Sequence, residues 1–492
     1  MKILLVYPEC PDTFWSMKHA LRFISKKATL PPLGLLTVAA MLPGDWEKKL
    51  VDMGVEPLWD KDIEWADYVF ISAMRIHKES VKRIIDRCKS LNTKIVGGGP
   101  LFTAGYEYCH DIDHLVLNEA EITLPAFLRD LRQGHPEYIY TSNEWADVKS
   151  TPVPAWELVD ITKYACMPIQ HSRGCPFACD FCDVTTLFGN KMRTKTAEHI
   201  LAELDALYSR GWRDPIFFVD DNFIGNKQTL KKEVLPAIIR WMDEHDRPFT
   251  LNTQASINLC DDEELMKQMA QAGFDMVFVG IETPNEEGLA ECNKVQNRNR
   301  DLVASVKKIQ SFGLQVQGGF ILGFDSDNPS IFTTLTRFIQ ESGIVTAMVG
   351  LLNAPPGTKL YKRLLKENRV VKTATGDNTD LSMNFIPKMK YEELVEGYKA
   401  VVSRIYSHKL YYQRVVNLLK TYKPFQNSRL RLHSYDLRAF LKSIWLLGVR
   451  EKGRIYYWKL IFWSLLTRPR SFPLAVSLAI YGFHFRKIFE TY

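Results

Sequence analysis

Three cysteines, Cys175, Cys179 and Cys182, stand in the run RGCPFACDFC with CxxxCxxC spacing, directly after a short strand-like stretch. A compact three-thiolate set suits a [4Fe–4S] cluster with one iron left open, because electron-transfer clusters take four cysteines and structural zinc takes four N/S ligands. Zinc completed by a distant His or Cys is the alternative reading of the triplet alone. Further polar residues fall at regular intervals: Asp220, Asp221 and Asn222 in VDDNF, Gln254 and Ser256 in NTQASI, Glu282 in GIETP, Gly318 and Gly319 in QGGF, and Asn353 in NAPP. Two adjacent carboxylates at a strand end are costly to bury unless they accept hydrogen bonds, so Asp220 and Asp221 point to a hydroxyl- or ammonium-bearing partner. Gly97, Gly98 and Gly99 in KIVGGGP let a backbone approach a ligand closely, although tight turns also use glycine.

The elements that must position these residues are β-rich apolar runs alternating with helical patterns. MPIQHSRG (167–174), DPIFFVDDNF (214–223), PFTLNTQASI (248–257), FDMVFVGIET (274–283), LQVQGGFILGF (314–324) and VTAMVGLLNAPPGT (345–358) predict an incomplete (β/α)6 barrel over 160–390. In such a barrel the carboxyl ends of the strands form the mouth, and the cysteines follow the first strand. Before it, KILLVYP (2–8), KKLVDM (48–53), DYVFISA (67–73), KIVGGGP (94–100) and HLVLNEAE (114–121), with helices near 32–41 and 78–91, predict a doubly wound, Rossmann-like α/β domain over 1–140. A linker carrying Pro152 and Pro154 joins the two, and 391–492 reads as a helical, aromatic-rich third domain.

The chain of 492 residues is too long for one core, and 46% hydrophobic with 24% charged residues describes a folded protein. Met1 opens directly into KILLVYP without a secretory pattern, so the nine cysteines are expected in a reducing cytoplasm, without disulfides. The net charge of +6 is concentrated at the end: residues 425–492 hold twelve Lys/Arg against three Asp/Glu. No stretch reaches the roughly 18 to 20 apolar residues of a spanning helix. The longest tail segment, 471–485, contains Pro473.

The CxxxCxxC spacing resembles that of radical S-adenosylmethionine (SAM) enzymes, whose open iron takes the amino and carboxylate groups of SAM. That resemblance implies SAM contacts from Phe181, Asp220, Asp221, Gln254, Glu282, Gly319 and Asn353. The ordered series LPPLGLLTVAA, VGGGPLFTAGYE, RGCPFACDFCD, FFVDDNFIGN, VGIETP, GGFILGFD and NAPPGTKLY, with a tail ending in LAIYGFHFRK, is similar to cobalamin-binding-domain radical SAM proteins. The subgroup of hopanoid C-2 methylases and tetraether-lipid ring synthases is the most similar. This implies cobalamin held against the barrel mouth by Pro32, Leu33, Ser72, Met74, Arg75, Gly97, Gly98, Gly99 and Glu119. No DxHxxG motif occurs between residues 1 and 140, so the cobalt is expected without a protein histidine. Met74, Arg75 and His77 of SAMRIHKES are expected beneath the corrin, where Arg75 has no lone pair to give.

The resemblance implies a C-methyltransferase acting through a 5′-deoxyadenosyl radical and methylcobalamin on an unactivated carbon of a hydrophobic lipid, isoprenoid or tetrapyrrole. A radical ring-forming or oxidising enzyme, and a non-catalytic metal-binding module at membranes, are the alternatives. An electron donor such as flavodoxin or ferredoxin is implied. Hydrogen abstraction from an sp3 carbon needs no general base, and His171 is expected to be an ordinary strand residue. In the tail, Trp445, Tyr456, Tyr457, Trp458, Phe462 and Trp463 interleave with Arg450, Lys452, Arg454, Lys459, Arg468 and Arg470. That pattern predicts a cytoplasmic protein lying peripherally on the anionic inner face of a membrane, with no nucleic acid partner; a helical cap over the barrel mouth is the plainer reading.

Overall fold

A computed structural model of the chain describes residues 1–105, 111–424 and 434–490; Cys109 and the end of the VGGGPLFTAGYE run lie outside them. The run KILLVY forms β1 (Lys2–Tyr7), whose four central residues are all buried, as a strand covered on both faces requires. It is central in a six-stranded parallel sheet with β2 (Glu47–Asp52), β3 (Tyr68–Ser72), β4 (Lys94–Gly98), β5 (His114–Val116) and β6 (Ile139–Tyr140), in the order β2-β1-β3-β4-β5-β6. The order reverses between β1 and β3, which places a ligand crevice at their carboxyl ends.

The second sheet starts at β7 (Met167–Ile169). A two-stranded ribbon, β8 (Ser172–Arg173) with β9 (Arg193–Thr194), brackets the cysteine loop. The sheet continues through β10 (Ile216–Phe218), β11 (Leu251–Gln254), β12 (Phe274–Glu282), β13 (Gln315–Leu322) and β14 (Ala347–Leu351), all parallel and in sequence order outward from β7. Along β12, Val277, Val279 and Ile281 are fully buried beneath the outer helices, whereas Met276, Phe278 and Gly280 keep accessible surface on the opposite face. The inner face of the curved sheet therefore lines an open lumen. The segment between the sheets is packed rather than loose: Ala155 N–H donates to Leu36 O at 3.0 Å and the Tyr164 hydroxyl to Asp52 at 3.0 Å.

The chain ends in helices α1 (Tyr391–Tyr406), α2 (His408–Thr421), α3 (Ser434–Trp445), α4 (Arg454–Thr467) and α5 (Phe472–Phe489). They do not cap the mouth. The Tyr406 hydroxyl meets both backbone groups of Ala347 at the start of β14, Arg414 donates to Val345 O at 3.2 Å, and Phe485 stacks on Phe14 with ring centres 4.3 Å apart. The first two contacts cover the amino end of β14, opposite the cysteines, and the third ties the tail to the segment after β1. No helix among the described residues is long and apolar enough to cross a membrane.

Candidate active site

The cysteine loop leaves β8 through Gly174, whose φ of +91° and lack of a side chain are both needed: a Cβ there would lie 2.7 Å from Lys191 O. The loop is pinned at several backbone points. Cys175 N–H donates to Gly189 O, Cys182 N–H to Cys179 O at 3.1 Å, Asp180 N–H to Cys292 O at 3.0 Å, and the Asn293 amide to Ala178 O at 3.0 Å. All three cysteines are half-buried and none is in a disulfide. Among the described residues no three His, Cys, Asp or Glu side chains gather closely enough for a single metal ion. Burial pushes the Cys175 thiol up and the Cys182 thiol to about 12, so these sulfurs become thiolates only beside added positive charge, as ligands of iron do.

The carboxyl ends of β10 to β14 gather the other predicted residues on the same rim. The fully buried Asp220 accepts from His171 N–H at 3.0 Å and from the Ser172 hydroxyl, anchoring the segment that leads into the cysteines. Its neighbour Asp221 is pushed up to about 7 by burial, by Asp220 and by Asp183. Gln254 ends β11 half-buried. Glu282 ends β12 with a left-handed φ of +65° beside a register shift, a strained conformation that surrounding contacts must enforce. It pairs at 2.7 Å with Lys294, which no motif names; a lysine twelve positions beyond Glu282 is its only sequence signal. Burial disfavours the Lys294 charge, but Glu282 and the Cys179 sulfur hold the ammonium above its ordinary value. Gly319 leaves room for Phe278, whose ring an added Cβ would meet at 2.8 Å. Phe181 packs beside Phe324, Leu352 and Leu360. The Asn353 side chain is committed to protein: it accepts from Asn384 N–H at 3.1 Å and donates to Leu351 O and Ser382 O.

At the first sheet, Ser72, Met74, Arg75 and Gly97 to Gly99 share the carboxyl edge of β3 and β4, with Pro32 and Leu33 opening the helix Leu33–Met41. Gly99 has φ +86°, and a Cβ there would lie 2.6 Å from the Ser72 hydroxyl. Met74 is exposed, and Arg75 feels the charge of Asp183, next to Cys182. Two residues have protein surroundings that their position in the sequence does not name. His77 is buried edge-on against Tyr7, its Nδ1 accepts from Met74 N–H at 3.2 Å, burial lowers it to about 4, and its Nε2 is buried without a partner among the described residues. Glu119 has both carboxylate oxygens engaged by Arg193, with Arg173 at 2.8 Å and Ala146 N–H at 2.8 Å, so it fastens the two sheets instead of offering a ligand.

A Rossmann-like sheet clamped at its ligand edge to a three-cysteine partial barrel defines a cobalamin-type radical SAM protein. The chain matches the B12 binding domain over residues 22–128, the radical SAM superfamily over 169–339 and a domain of unknown function, DUF4070, over 358–492. It is 39% identical over 490 residues to an uncharacterized methyltransferase of Synechocystis sp., covering 99% of this chain and 91% of that protein. It is 31% identical over 475 residues to hopanoid C-2 methylase of Rhodopseudomonas palustris, covering 93% and 88%. The chain belongs to the cobalamin-binding-domain radical SAM family. The cobalamin-dependent radical SAM enzyme OxsB, with aqua-cobalamin and SAM bound, has the same fold at a TM-score of 0.63 and 14% identity, covering 100% of this chain and 79% of that one. TsrM from Kitasatospora setae, with cobalamin and a [4Fe–4S] cluster bound, does so at 0.60 and 16%, covering 100% and 99%. The protein is thus a radical SAM enzyme of a cobalamin-dependent methyltransferase family, with a [4Fe–4S] cluster, SAM and cobalamin as its cofactors.

Proposed function

We propose that the enzyme methylates an unactivated carbon of a hydrophobic molecule, a lipid, isoprenoid or tetrapyrrole. The observation that carries this reading is the clamp of Glu119 and Glu121 on Arg173 and Arg193, which fixes the ligand edge of the first sheet against the flank of the cysteine loop. When bound, SAM on the cluster supplies a 5′-deoxyadenosyl radical and cobalamin supplies the methyl group. The chain does the rest. Cys175, Cys179 and Cys182 ligate iron; Asp221, Gln254, Glu282 and the rims at Phe181, Gly319 and Asn353 hold SAM; and Asp220 positions the loop from behind. Pro32, Leu33, Ser72, Met74 and Gly97 to Gly99 would hold the corrin, and Arg75 on the same edge would bring a cation with no lone pair to donate to a metal. Phe217, Met276, Phe278 and Met348 offer apolar surface to a hydrophobic substrate, beside the in-register Gln254 and Gln317.

A flavodoxin or ferredoxin supplies the electrons, and the C-terminal helices rest on the membrane. Support for that contact is a stripe of exposed Leu437, Leu441, Trp445 and Val449 on α3 and its extension, continued by Ile455, Phe462 and Leu466 on α4, amid Arg450, Lys452, Arg454 and Lys459. The stripe differs from the expected aromatic set, since Tyr457 is fully buried and Tyr456, Trp458 and Trp463 are half-buried. The test is mass spectrometry of lipids and pigments from cells with the intact enzyme or a Cys175→Ala variant, with S-adenosylhomocysteine and 5′-deoxyadenosine measured on the purified enzyme. A methylated molecule with both by-products supports the reading; 5′-deoxyadenosine without S-adenosylhomocysteine overturns methyl transfer.

A further inference from the structure

The cysteine loop is strapped to the end of β12 by the run CNKVQN, residues 292–297, which begins where the helix Glu286–Glu291 stops. Cys292 O accepts from Asp180 N–H at 3.0 Å and the Asn293 amide donates to Ala178 O at 3.0 Å, so the two anchors flank Cys179. Asn293 takes a left-handed φ of +54°, which turns the chain back toward β12, where Lys294 pairs with Glu282. A single tight turn, Val295–Asn297, then presents Val295 to solvent and buries the two amides beside it. Asn297, fully buried, donates to Gly280 O at 3.1 Å and to Ile281 O at 2.9 Å, the carbonyls at the register shift before Glu282.

Gln296 stands between these anchors, only 8% exposed, and its amide nitrogen donates to the Cys179 sulfur at 3.8 Å, across 117 residues of chain. Its amide oxygen is buried with no partner among the described residues. A side chain held for packing alone would be better replaced by an apolar one of the same size, because an unpaired buried amide oxygen costs stability. A thiolate accepts and does not donate, so the nitrogen is the amide atom that suits the sulfur, and the oxygen is left over. The anchors on either side of Cys179 and the Asn297 amide fix this contact from both ends. Neither the loop nor the turn can withdraw without breaking several buried hydrogen bonds.

We propose that Gln296 is a positioning residue for electron entry: its amide N–H donates to the Cys179 thiolate and raises the reduction potential of the cluster that the three thiolates hold. The proposal rests on ligation of the cluster by Cys175, Cys179 and Cys182, and not on which carbon is methylated. One electron passes from the reduced flavodoxin or ferredoxin, which is oxidised, to the cluster, whose sulfurs share the added negative charge. A hydrogen bond to an ionised acceptor strengthens as that acceptor gains charge, so an N–H aimed at one of those sulfurs favours the reduced cluster over the oxidised one. The amide carries no net charge. Its effect therefore depends on contact and direction, which is what the strap supplies.

The test is redox titration of the full chain loaded with its cluster, followed by electron paramagnetic resonance. Gln296→Leu and Gln296→Met keep the bulk and remove the donor. Each is expected to lower the ratio of reduced to oxidised cluster at a fixed potential about tenfold, a shift of about 59 mV to more negative potential for one electron. Val295→Ala, on the outer side of the same turn, is expected to leave the potential where it is. In protein whose glutamine side chains carry nitrogen-15, pulsed resonance of the reduced cluster is expected to show a nitrogen-15 coupling that Gln296→Leu abolishes. An unchanged potential in both Gln296 variants, an equal shift from Val295→Ala, or no such coupling in the unaltered protein overturns the proposal. The labelling measurement on the unaltered protein decides the question if neither Gln296 variant assembles a cluster. Absence of a cluster from the unaltered protein overturns the ligand assignment and this proposal with it. A cluster that forms without any S-adenosylhomocysteine being released overturns methyl transfer and leaves the role of Gln296 standing, so the two failures are distinct.

Discussion

Glu119 accepts from the Arg193 guanidinium on both carboxylate oxygens, at 2.9 and 2.7 Å, and this pair joins the first sheet to the ribbon beside the cysteines. The acid side chain is 2% exposed and the arginine 14%. Removing one partner of a buried pair leaves the other charge uncompensated, at about 3 kcal/mol. Glu119→Ala should lower stability by about that amount in urea unfolding, and Glu119→Ala with Arg193→Ala should cost clearly less than the sum of the single changes. Additive losses would mean that the contact does not couple the two sheets.

The same junction sets a response to acid. Burial alone would raise the Glu121 carboxyl, but hydrogen bonds and charge from Arg173 hold it at about 2, and Arg369 and Arg363 do the same for Asp325, also at about 2. Both folded values lie below the unfolded ones of about 4.3 and 3.9. Their stabilisation is therefore fully present above about pH 4.5 and drains away as pH falls toward 2. Urea midpoints measured from pH 7 to pH 3 should fall steeply below pH 4.5, and Glu121→Gln should flatten part of that slope. A variant with an unchanged slope would remove Glu121 from the account.

Lys294 places a buried ammonium beside Cys179 and Cys182. A unit charge at about 6 Å in an effective dielectric of about 20 contributes about 3 kcal/mol, on the order of 100 mV for one electron. Reducing a cluster adds negative charge, so Lys294→Met should shift its potential more negative by roughly that amount, and Lys294→Arg by much less. Redox titration followed by electron paramagnetic resonance reads the shift directly. A methionine variant with the original potential would leave Lys294 as a structural partner of Glu282 alone.

On the outer face of the C-terminal helices, Trp445 is 58% exposed and Leu466 83%. Burying a large apolar side chain contributes about 1.5 to 3 kcal/mol. Trp445→Glu with Leu466→Glu should reduce co-sedimentation with phosphatidylglycerol vesicles by at least about tenfold, and salt should weaken binding of the unaltered protein. Equal sedimentation of the two proteins would sink the membrane contact.

Strand positions were legible because a parallel strand buried on both faces must be a continuous apolar run, as KILLVY is, and because β-rich runs such as FDMVFVGIE recur between helical patterns. The cysteine loop was legible because it is local, three thiols within eight residues, followed by polar residues that recur at each strand end. Pairings between distant residues were not. Arg193 lies 74 residues from Glu119 and Lys294 12 residues from Glu282, and nothing in either neighbourhood names the partner. The short turn at 75–77 sets His77 edge-on against Tyr7, a contact that its place after β3 does not name.

By itself the sequence determined the two α/β sheets, the three-cysteine loop after the first strand of the second and the basic, aromatic character of the tail, because each depends on residue type and short-range spacing. Only the tertiary structure decided that Glu119 is a clamp, that the tail packs on the amino end of β14, and that Lys294 pairs with Glu282 beside the cysteines. Those outcomes depend on which surfaces pack together across hundreds of residues, and burial, which gives a charge or an amide its energetic weight, exists only once they have packed.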